Sequence, residues 1–478
     1  MTGDCSLRLP QSLFDELHRH LFPGDGDEHG AVIEAGVANI DGRCVLLARR
    51  LHKAQDGVDW VPGKRGYRML PAAYVTQRIR ACRTEGLAYL AVHNHGGRGS
   101  VNFSDIDLAT HERGFPALLD IMQGVPVGAL VFADDAVAGD IWTQNGRAPL
   151  HDAIVVGPTR RRLTPSSLGA SSSTDTRFDR QVRLFGANGQ SLLAASRVAI
   201  IGLGGVGILL VEYLGRLGVG QFVLIDPDRL TPTNLPRMVH ATEWDAMTWL
   251  ARDGRPTWMQ RLGYRLATPK VRLAQRIIRR ANPQAITRPF VSEFEDVAAV
   301  EAVKGCDYIF LAADSHRARL LFNALTHQYL IPGVQLGSRI QSNAETGTVE
   351  HVHTVVRWVL PDGGCLACNQ AINPARLQEE SISGVMRRRQ KYTDEPEVAA
   401  PSVITLNAVA ASQAANDFLF YITGLASPEA FAGYIRSHPL QRRQEMLTPR
   451  RGSDCLDCGP ASESRLARGD GVPLPLIS

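Results

Sequence analysis

Lysine is scarce in this chain: five residues against 47 arginines, out of 52 basic side chains in 478 residues. The bias of a GC-rich coding sequence accounts for the ratio, and it makes each lysine worth inspecting. Long apolar runs are missing as well. No uncharged stretch approaches the length of a membrane span, and the opening MTGDCSLRLPQSLFDELHRH has no basic region followed by an apolar one. The expectation is a cytoplasmic protein with no membrane partner. A net charge of +4 is small for this length and gives no mandate for nucleic acid. Eight cysteines in such a chain do not read as a disulfide framework. No internal repeat is visible.

What is present is a globular composition, 44% hydrophobic and 21% charged, on a chain too long for one ordinary core. Residues 157–176, GPTRRRLTPSSLGASSSTDT, have almost no large apolar side chain and read as a flexible linker. They divide the chain into residues 1–156 and 177–478. In the first part AVIEAGVANI, RCVLLARRL, AYLAVHNH and VPVGALVFA read as strands and SDIDLATHERGFPALLDIMQ as a helix, an α+β domain. In the second, RVAIIGLGGVGILLVEYLGRLGVGQFVLIDPD runs strand, glycine turn, helix, strand. That is a βαβ unit, so an α/β domain with a mainly parallel sheet is expected.

His93 and His95 sit two apart at a strand end, where both imidazoles share a face, and Asp107 falls in the first turn of a helix starting near Ser104. Two histidines and a carboxylate make a zinc set that leaves one position for water. The plainer reading is a capping box of Ser104 with Asp107, which needs no metal. H-x-H followed by S-x-x-D, in this strand and helix layout, resembles the JAMM (MPN+, JAB) metalloprotease signature over residues 1 to about 155. The resemblance implies His93, His95 and Asp107 as ligands of a catalytic zinc and Ser104 as a hydrogen-bonding partner. It also implies a glutamate as general base. Glu28 fits the motif position, while Glu34 lies six residues on with the same strand parity, so facing does not separate the two. The loop from His95 to Ser104 is one residue longer than the family pattern, and Gly96 replaces its proline. His29 and His111 read as surface histidines.

GLGGVG, residues 202–207, puts backbone N–H groups and a helix N-terminus where a phosphate could bind, and Asp226 ends the following strand where a ribose hydroxyl could. These features suit a dinucleotide as well as ATP. The sequel TNLPR does not belong to a dehydrogenase. With RFDRQVRLFGANGQ, TPKVRLAQRIIRRANP and LAADSHRARLLFNALTHQYLIPGV it resembles the ThiF/MoeB adenylating superfamily of ubiquitin-activating enzymes, over about residues 177 to 460. The resemblance implies phosphates at Gly202, Gly204, Gly205 and Gly207, the ribose at Asp226, the triphosphate at Asn234, Arg237 and Lys270, and Mg²⁺ at Asp314. Arg180 would reach the ATP of a neighbouring subunit, which implies a homodimer.

CLAC and CLDC place Cys365, Cys368, Cys455 and Cys458 in two C-x-x-C pairs, enough for a closed tetrahedral zinc site. Their wide separation requires a fold that returns the second pair to the first, and the superfamily implies a structural zinc there. No cysteine occurs between Cys368 and Cys455, so the thioester-forming residue of many activating enzymes is missing. Cys306 and Cys82 remain outside candidates for that role. The segment from Met238 to Thr268 is longer than the family pattern and carries Trp244, Trp249 and Trp258. Packing onto the domain's own surface is expected for these rings, ahead of anchoring a bound protein.

Both resemblances imply enzymes acting on one object, the C-terminal tail of a ubiquitin-like β-grasp protein: zinc-dependent hydrolysis after the tail, then ATP-dependent adenylation of its carboxylate. A conjugating enzyme encoded nearby would be the next partner. A sulfur-carrier pathway with a sulfur donor is the alternative, and an NAD-dependent oxidoreductase or an inactive binding scaffold are the readings from other classes.

Overall fold

The computed structural model describes residues 4–55, 58–59, 61–62, 68–166, 175–343, 348–381, 401–431 and 433–476. The first part runs β1 (Cys5–Pro10), α1 (Gln11–Leu21), β2 (Gly30–Ile40), β3 (Arg43–Lys53), the short pair β4 (Val61–Pro62) and β5 (Arg68–Met69), α2 (Ala72–Glu85), β6 (Ala88–Asn94), α3 (Asp105–Ile121), β7 (Val127–Phe132), β8 (Val137–Thr143), β9 (Gly146–Val156) and β10 (Arg160–Leu163). Its eight-stranded sheet has the order β1-β3-β2-β6-β7-β8-β9-β10, and β1 also pairs with β9. The sheet is therefore a closed ring of strands. Closure comes from the length of β9, whose first residues pair with β8 and whose residues from Leu150 onward pair with β1.

Side-chain alternation sorts the strands between two environments. Leu7 and Leu9, Ile33 and Ala35, Leu90 and Val92, Leu130 and Phe132 all point into one core inside the ring. The other parity faces outward: Val32, Tyr89, Val127 and Ala129 lie beneath α2 and α3 with Ile79, Cys82 and Phe115.

The second part runs α4 (Asp179–Ala195), β11 (Arg197–Ile201), α5 (Gly205–Leu217), β12 (Gln221–Ile225), α6 (Thr248–Ala251), α7 (Thr257–Leu266), α8 (Lys270–Ala281), β13 (Ile286–Phe290), α9 (Val297–Lys304), β14 (Tyr308–Leu311), α10 (His316–Gln328), β15 (Gly333–Ser342), β16 (Val349–Val359), α11 (Pro374–Ser381), α12 (Ile404–Thr423), β17 (Tyr434–His438) and β18 (Arg443–Leu447). Its sheet order is β13-β12-β11-β14-β15-β16-β17-β18. The pairings from β13 through β15 are parallel and those from β15 through β18 antiparallel, an α/β architecture. β11 has β12 on one side and β14 on the other, so the chain order reverses at its carboxyl end, where open α/β sheets bind ligands.

The linker expected over residues 157–176 is shorter than its composition suggested. Arg160–Leu163 pairs with β9 as an edge strand, and Arg160 reaches Asp307 of the second part at 2.8 Å. Residues 167–174 lie outside the described residues. The two parts share one continuous apolar cluster, which takes in Ala38, Ile40, Val45 and Leu47 of β2 and β3 as well as Val223, Ile225, Ile309 and Leu311 of the parallel sheet. The segment after the last cysteine crosses this boundary: Gly469 bridges to Val37, and a Cβ at Gly36 would lie 2.1 Å from the Ala467 carbonyl oxygen. No helix among the described residues is long and apolar enough to cross a membrane.

Candidate active sites

The alternation that sends Leu90 and Val92 into the ring sends His93 to its outer face, at the end of β6. Their Nε2 atoms bring His93 and His95 within 3.3 Å of each other. Asp107 Oδ2 lies 3.8 Å from each ring nitrogen. Tetrahedral zinc with nitrogen ligands at about 2.0–2.1 Å needs donor separations of about 3.3–3.4 Å, so the histidine pair already has that spacing and the carboxylate is slightly farther out. His95 Nδ1 sits 3.0 Å from the Asn102 carbonyl oxygen, which fixes the ring with Nε2 facing the cluster. Ser104 caps α3, and its hydroxyl donates to Asp107 Oδ2 at 2.7 Å, so cap and cluster coexist on one carboxylate. Burial would raise the Asp107 pKa, but hydrogen bonds from His93 and Ser104 outweigh it and hold the carboxyl well below the usual range.

The two glutamates separate sharply. Glu28 lies just before β2, not on it as the sequence suggested, and its Oε1 is 3.9 Å from His95 Nε2. Glu34 is 2% exposed and points the other way, paired with His52 at 2.9 Å and Arg50 at 3.0 Å. Parity along the strand does not relate the two, because β2 begins at Gly30 and Glu28 precedes it. His29 and His111, expected at the surface, are buried: His29 pairs with Asp25 at 3.1 Å and His111 with Asp140 at 2.9 Å.

In the second part the glycine turn joins β11 to α5. Gly202 has φ +85°, and a Cβ at Gly207 would lie 2.0 Å from the Gly202 carbonyl oxygen, so neither position takes a side chain. At Gly204 a Cβ would meet open space, leaving the backbone approachable from outside. Gly205 packs against Asn407 of α12 and the Arg237 side chain. Asp226 follows β12 and is 4% exposed. It accepts from Leu203 N at 2.7 Å and Asp228 N at 2.9 Å, which ties the second strand to the turn. Burial pushes its pKa up; the nearby Lys270 ammonium pulls the other way without cancelling it.

Lys270 opens α8 with its Nζ 3.5 Å from Asp226 and 2.6 Å from Asp228. Asp228, the second acid of the D-x-D pair, had no role in the sequence reading although the doubled acid was visible there. Asn234 accepts from Thr231 N and shapes the turn at residues 232–237, while Arg237 donates to the Thr233 carbonyl at 2.8 Å. Asp314 is exposed beyond β14, whose exit passes directly under Gly202. It lines a cleft of about 410 Å³ with Glu293, Glu295, His316, Arg317 and Glu380. Glu380 accepts from His316 N and Arg317 N, so the start of α10 is already capped there. Arg180 is exposed on α4.

The four paired cysteines converge. Cys365 and Cys455 sulfurs are 3.6 Å apart and Cys368 and Cys458 sulfurs 3.8 Å. A tetrahedron with arms of about 2.3 Å has edges of about 3.8 Å, so the set fits zinc. Backbone N–H groups of Gly452 and Asp457 donate to the Cys368 and Cys455 sulfurs. Asn323 on α10 bridges both knuckles, accepting from Leu366 N and donating to Asp457. Cys306 and Cys82 are buried to 1% and 0% exposure, and burial pushes both thiols up to about 12. They are poor nucleophiles in this state.

The family model described as the ThiF family matches residues 178–457. A SAMP-activating enzyme E1 of Haloferax volcanii is 27% identical over 203 residues, 42% of this chain and 64% of that protein. A molybdopterin-synthase adenylyltransferase of Salmonella typhimurium is 28% identical over 158 residues, 33% of this chain and 55% of that protein. The chain thus spans between half and two thirds of the length of these curated relatives. A crystal structure of E. coli MccB with ATP is 21% identical, covers 60% of this chain and 75% of that chain, and has a TM-score of 0.43.

Proposed function

Because the chain belongs to the ThiF family, whose model takes in more than half of its residues, we propose that residues 177–478 adenylate the C-terminal carboxylate of a ubiquitin-like or sulfur-carrier β-grasp protein at the expense of ATP. The observation that carries this reading is the Asp226, Asp228 and Lys270 cluster, tied to the glycine turn at the point where the sheet reverses its strand order. The N–H groups of the turn and the start of α5 hold phosphate, and Asp226 accepts from ribose hydroxyls. Lys270, Asn234 and Arg237 bind the triphosphate. A Mg²⁺ ion held at Asp314 would supply further neutralisation of the phosphate charge. The substrate carboxylate oxygen attacks the α-phosphorus, the bond to the bridging oxygen breaks, and pyrophosphate leaves. Arg180 serves the site of a second copy in a homodimer.

Residues 1–156 act, on the same reading, as a JAMM-type peptidase on the peptide or isopeptide bond after the same terminus. The spacing of His93, His95 and Asp107 supports it. A zinc ion held there would supply an activated water as nucleophile. Glu28 would accept a proton at its carboxylate as the nucleophile attacks and deliver it to the leaving amine. Asn102 and Ser104 orient the ligating side chains. The four cysteines hold a structural zinc.

The buried Cys82 and Cys306 favour an acyl-adenylate as the released product, passed to a thiol of another protein. A sulfur-donor acceptor is the second reading, favoured by the likeness to a molybdopterin-synthase adenylyltransferase. Hydroxylamine trapping tests the proposal. With ATP and a β-grasp protein ending in a free carboxylate, a C-terminal hydroxamate forms, and its absence with every such protein of the same genome overturns the reading.

A further inference from the structure

The three tryptophans between Arg237 and Lys270 do not pack onto the domain. Trp244 is 73%, Trp249 47% and Trp258 66% exposed. On α7, Trp258, Arg261, Leu262 and Arg265 fall on one side at helical spacing. The opposite side holds Gly263, where a Cβ would come within 2.9 Å of Leu250 Cβ on α6. The helix therefore packs through its glycine and turns Trp258 and Leu262 outward between two arginines. The base of this hairpin is pinned by Asp245, which accepts from Thr242, Thr268 and the Arg276 guanidinium. These bonds give the exposed rings a fixed mount, flanked in sequence by two residues of the nucleotide site.

We infer that this hairpin docks the small β-grasp protein through an apolar patch ringed by carboxylates on that protein, while its tail enters the adenylation site; the inference rests on the adenylation reading above. The charge pattern selects the occupant. Among the described residues, Arg252, Arg255, Arg261 and Arg265 form no ion pair. All four are exposed around the tryptophans. A second copy of the chain meeting this face across a twofold axis would set these guanidiniums against their own counterparts, which disfavours it. An acidic partner pairs with them, and its apolar centre covers Trp258, the residue type that most often dominates such contacts.

The test uses the full chain and the β-grasp protein of the same genome that supports ATP–pyrophosphate exchange with wild type. Arg261→Glu/Arg265→Glu, a surface change that spares the rings, is compared with Trp258→Ala. The expected result is a KM for the protein raised at least tenfold in each, with kcat at saturation and KM for ATP unchanged. Added salt should raise the wild-type KM and leave that of the Glu variant flat. A KM for the protein that stays at the wild-type value overturns the docking surface and spares the adenylation reading. Exchange with no β-grasp protein overturns both. Melting temperatures and ATP affinity identify a misfolded variant, and the salt dependence of the wild type then decides: a flat KM overturns the inference.

Discussion

Arg197 and Asp41 meet at 2.5 Å. Arg197 begins β11, the strand that ends in the glycine turn, and Asp41 sits in the turn that ends β2. The other end of β2 lies beside the histidine cluster, since Gly30 pairs with His93. At about 3.3 Å per residue, the 11 residues of β2 span about 33 Å. The ion pair thus joins the amino end of β11, opposite the glycine turn, to the end of β2 remote from the histidine cluster.

On this arrangement a tail cleaved at one site leaves the enzyme before it is adenylated at the other. A mixture of Glu28→Ala and Lys270→Ala chains should turn precursor into adenylate as fast as wild type at equal concentrations of each intact site. Precursor and hydroxamate, followed by mass spectrometry, give the comparison. A wild type many times faster than the mixture would show direct transfer instead.

Glu28 and Glu34 should fail in different ways. Glu28→Gln keeps the fold and the bound zinc and loses tail cleavage. Glu34→Gln leaves Arg50 and His52 short of a buried acceptor and should lower stability by about 1–3 kcal/mol, visible as an earlier denaturation midpoint. Cleavage retained in Glu28→Gln would remove the assigned base.

Metal content should be two zinc ions per chain, independently lost. His93→Ala with His95→Ala removes one and leaves the melting temperature nearly unchanged. Cys365→Ser removes the other and lowers it, because metal binding at a closed thiolate site is folding free energy. Atomic absorption paired with calorimetry reads both. A single ion lost with either variant would contradict two separate sites.

The tryptophan hairpin should respond to acid. Burial opposes ionisation of Asp245, but Arg276, Thr242 and Thr268 outweigh it and bring its pKa down to about 2. A depressed acid stabilises above its unfolded pKa of about 3.9, and that contribution is lost as pH falls through the folded value. Tryptophan emission should therefore shift between about pH 4 and 2 in wild type. Asp245→Asn should show the shifted emission already at neutral pH, and identical spectra at pH 7 would count against the anchor.

Much of this was legible in the residues. GLGGVG between a strand and a helix is a local pattern, and His93 with His95 needs only strand alternation; Lys270 beside Asp226 and Asp228 is a tertiary contact that only the family resemblance pointed to. Closure of the first sheet was not legible, because it depends on β9 pairing with both β8 and the distant β1. The hairpin from β8 to β9 did carry a signal, Asn145-Gly146. The burial of His29 and His111 could not be read either: each is held by an acid, Asp25 or Asp140, whose pairing is tertiary. The outward tryptophans reversed the ordinary expectation that large rings pack inside, and only Gly263, small enough to let α6 approach, hinted at which face of α7 is inward.

The most direct measurement is ATP–pyrophosphate exchange driven by a β-grasp protein with a free C-terminal carboxylate, in wild type and in Lys270→Ala. Exchange that requires the protein and falls about 100-fold or more in the variant is the predicted result. Exchange that runs without any protein substrate, or that Lys270→Ala leaves intact, would contradict the account.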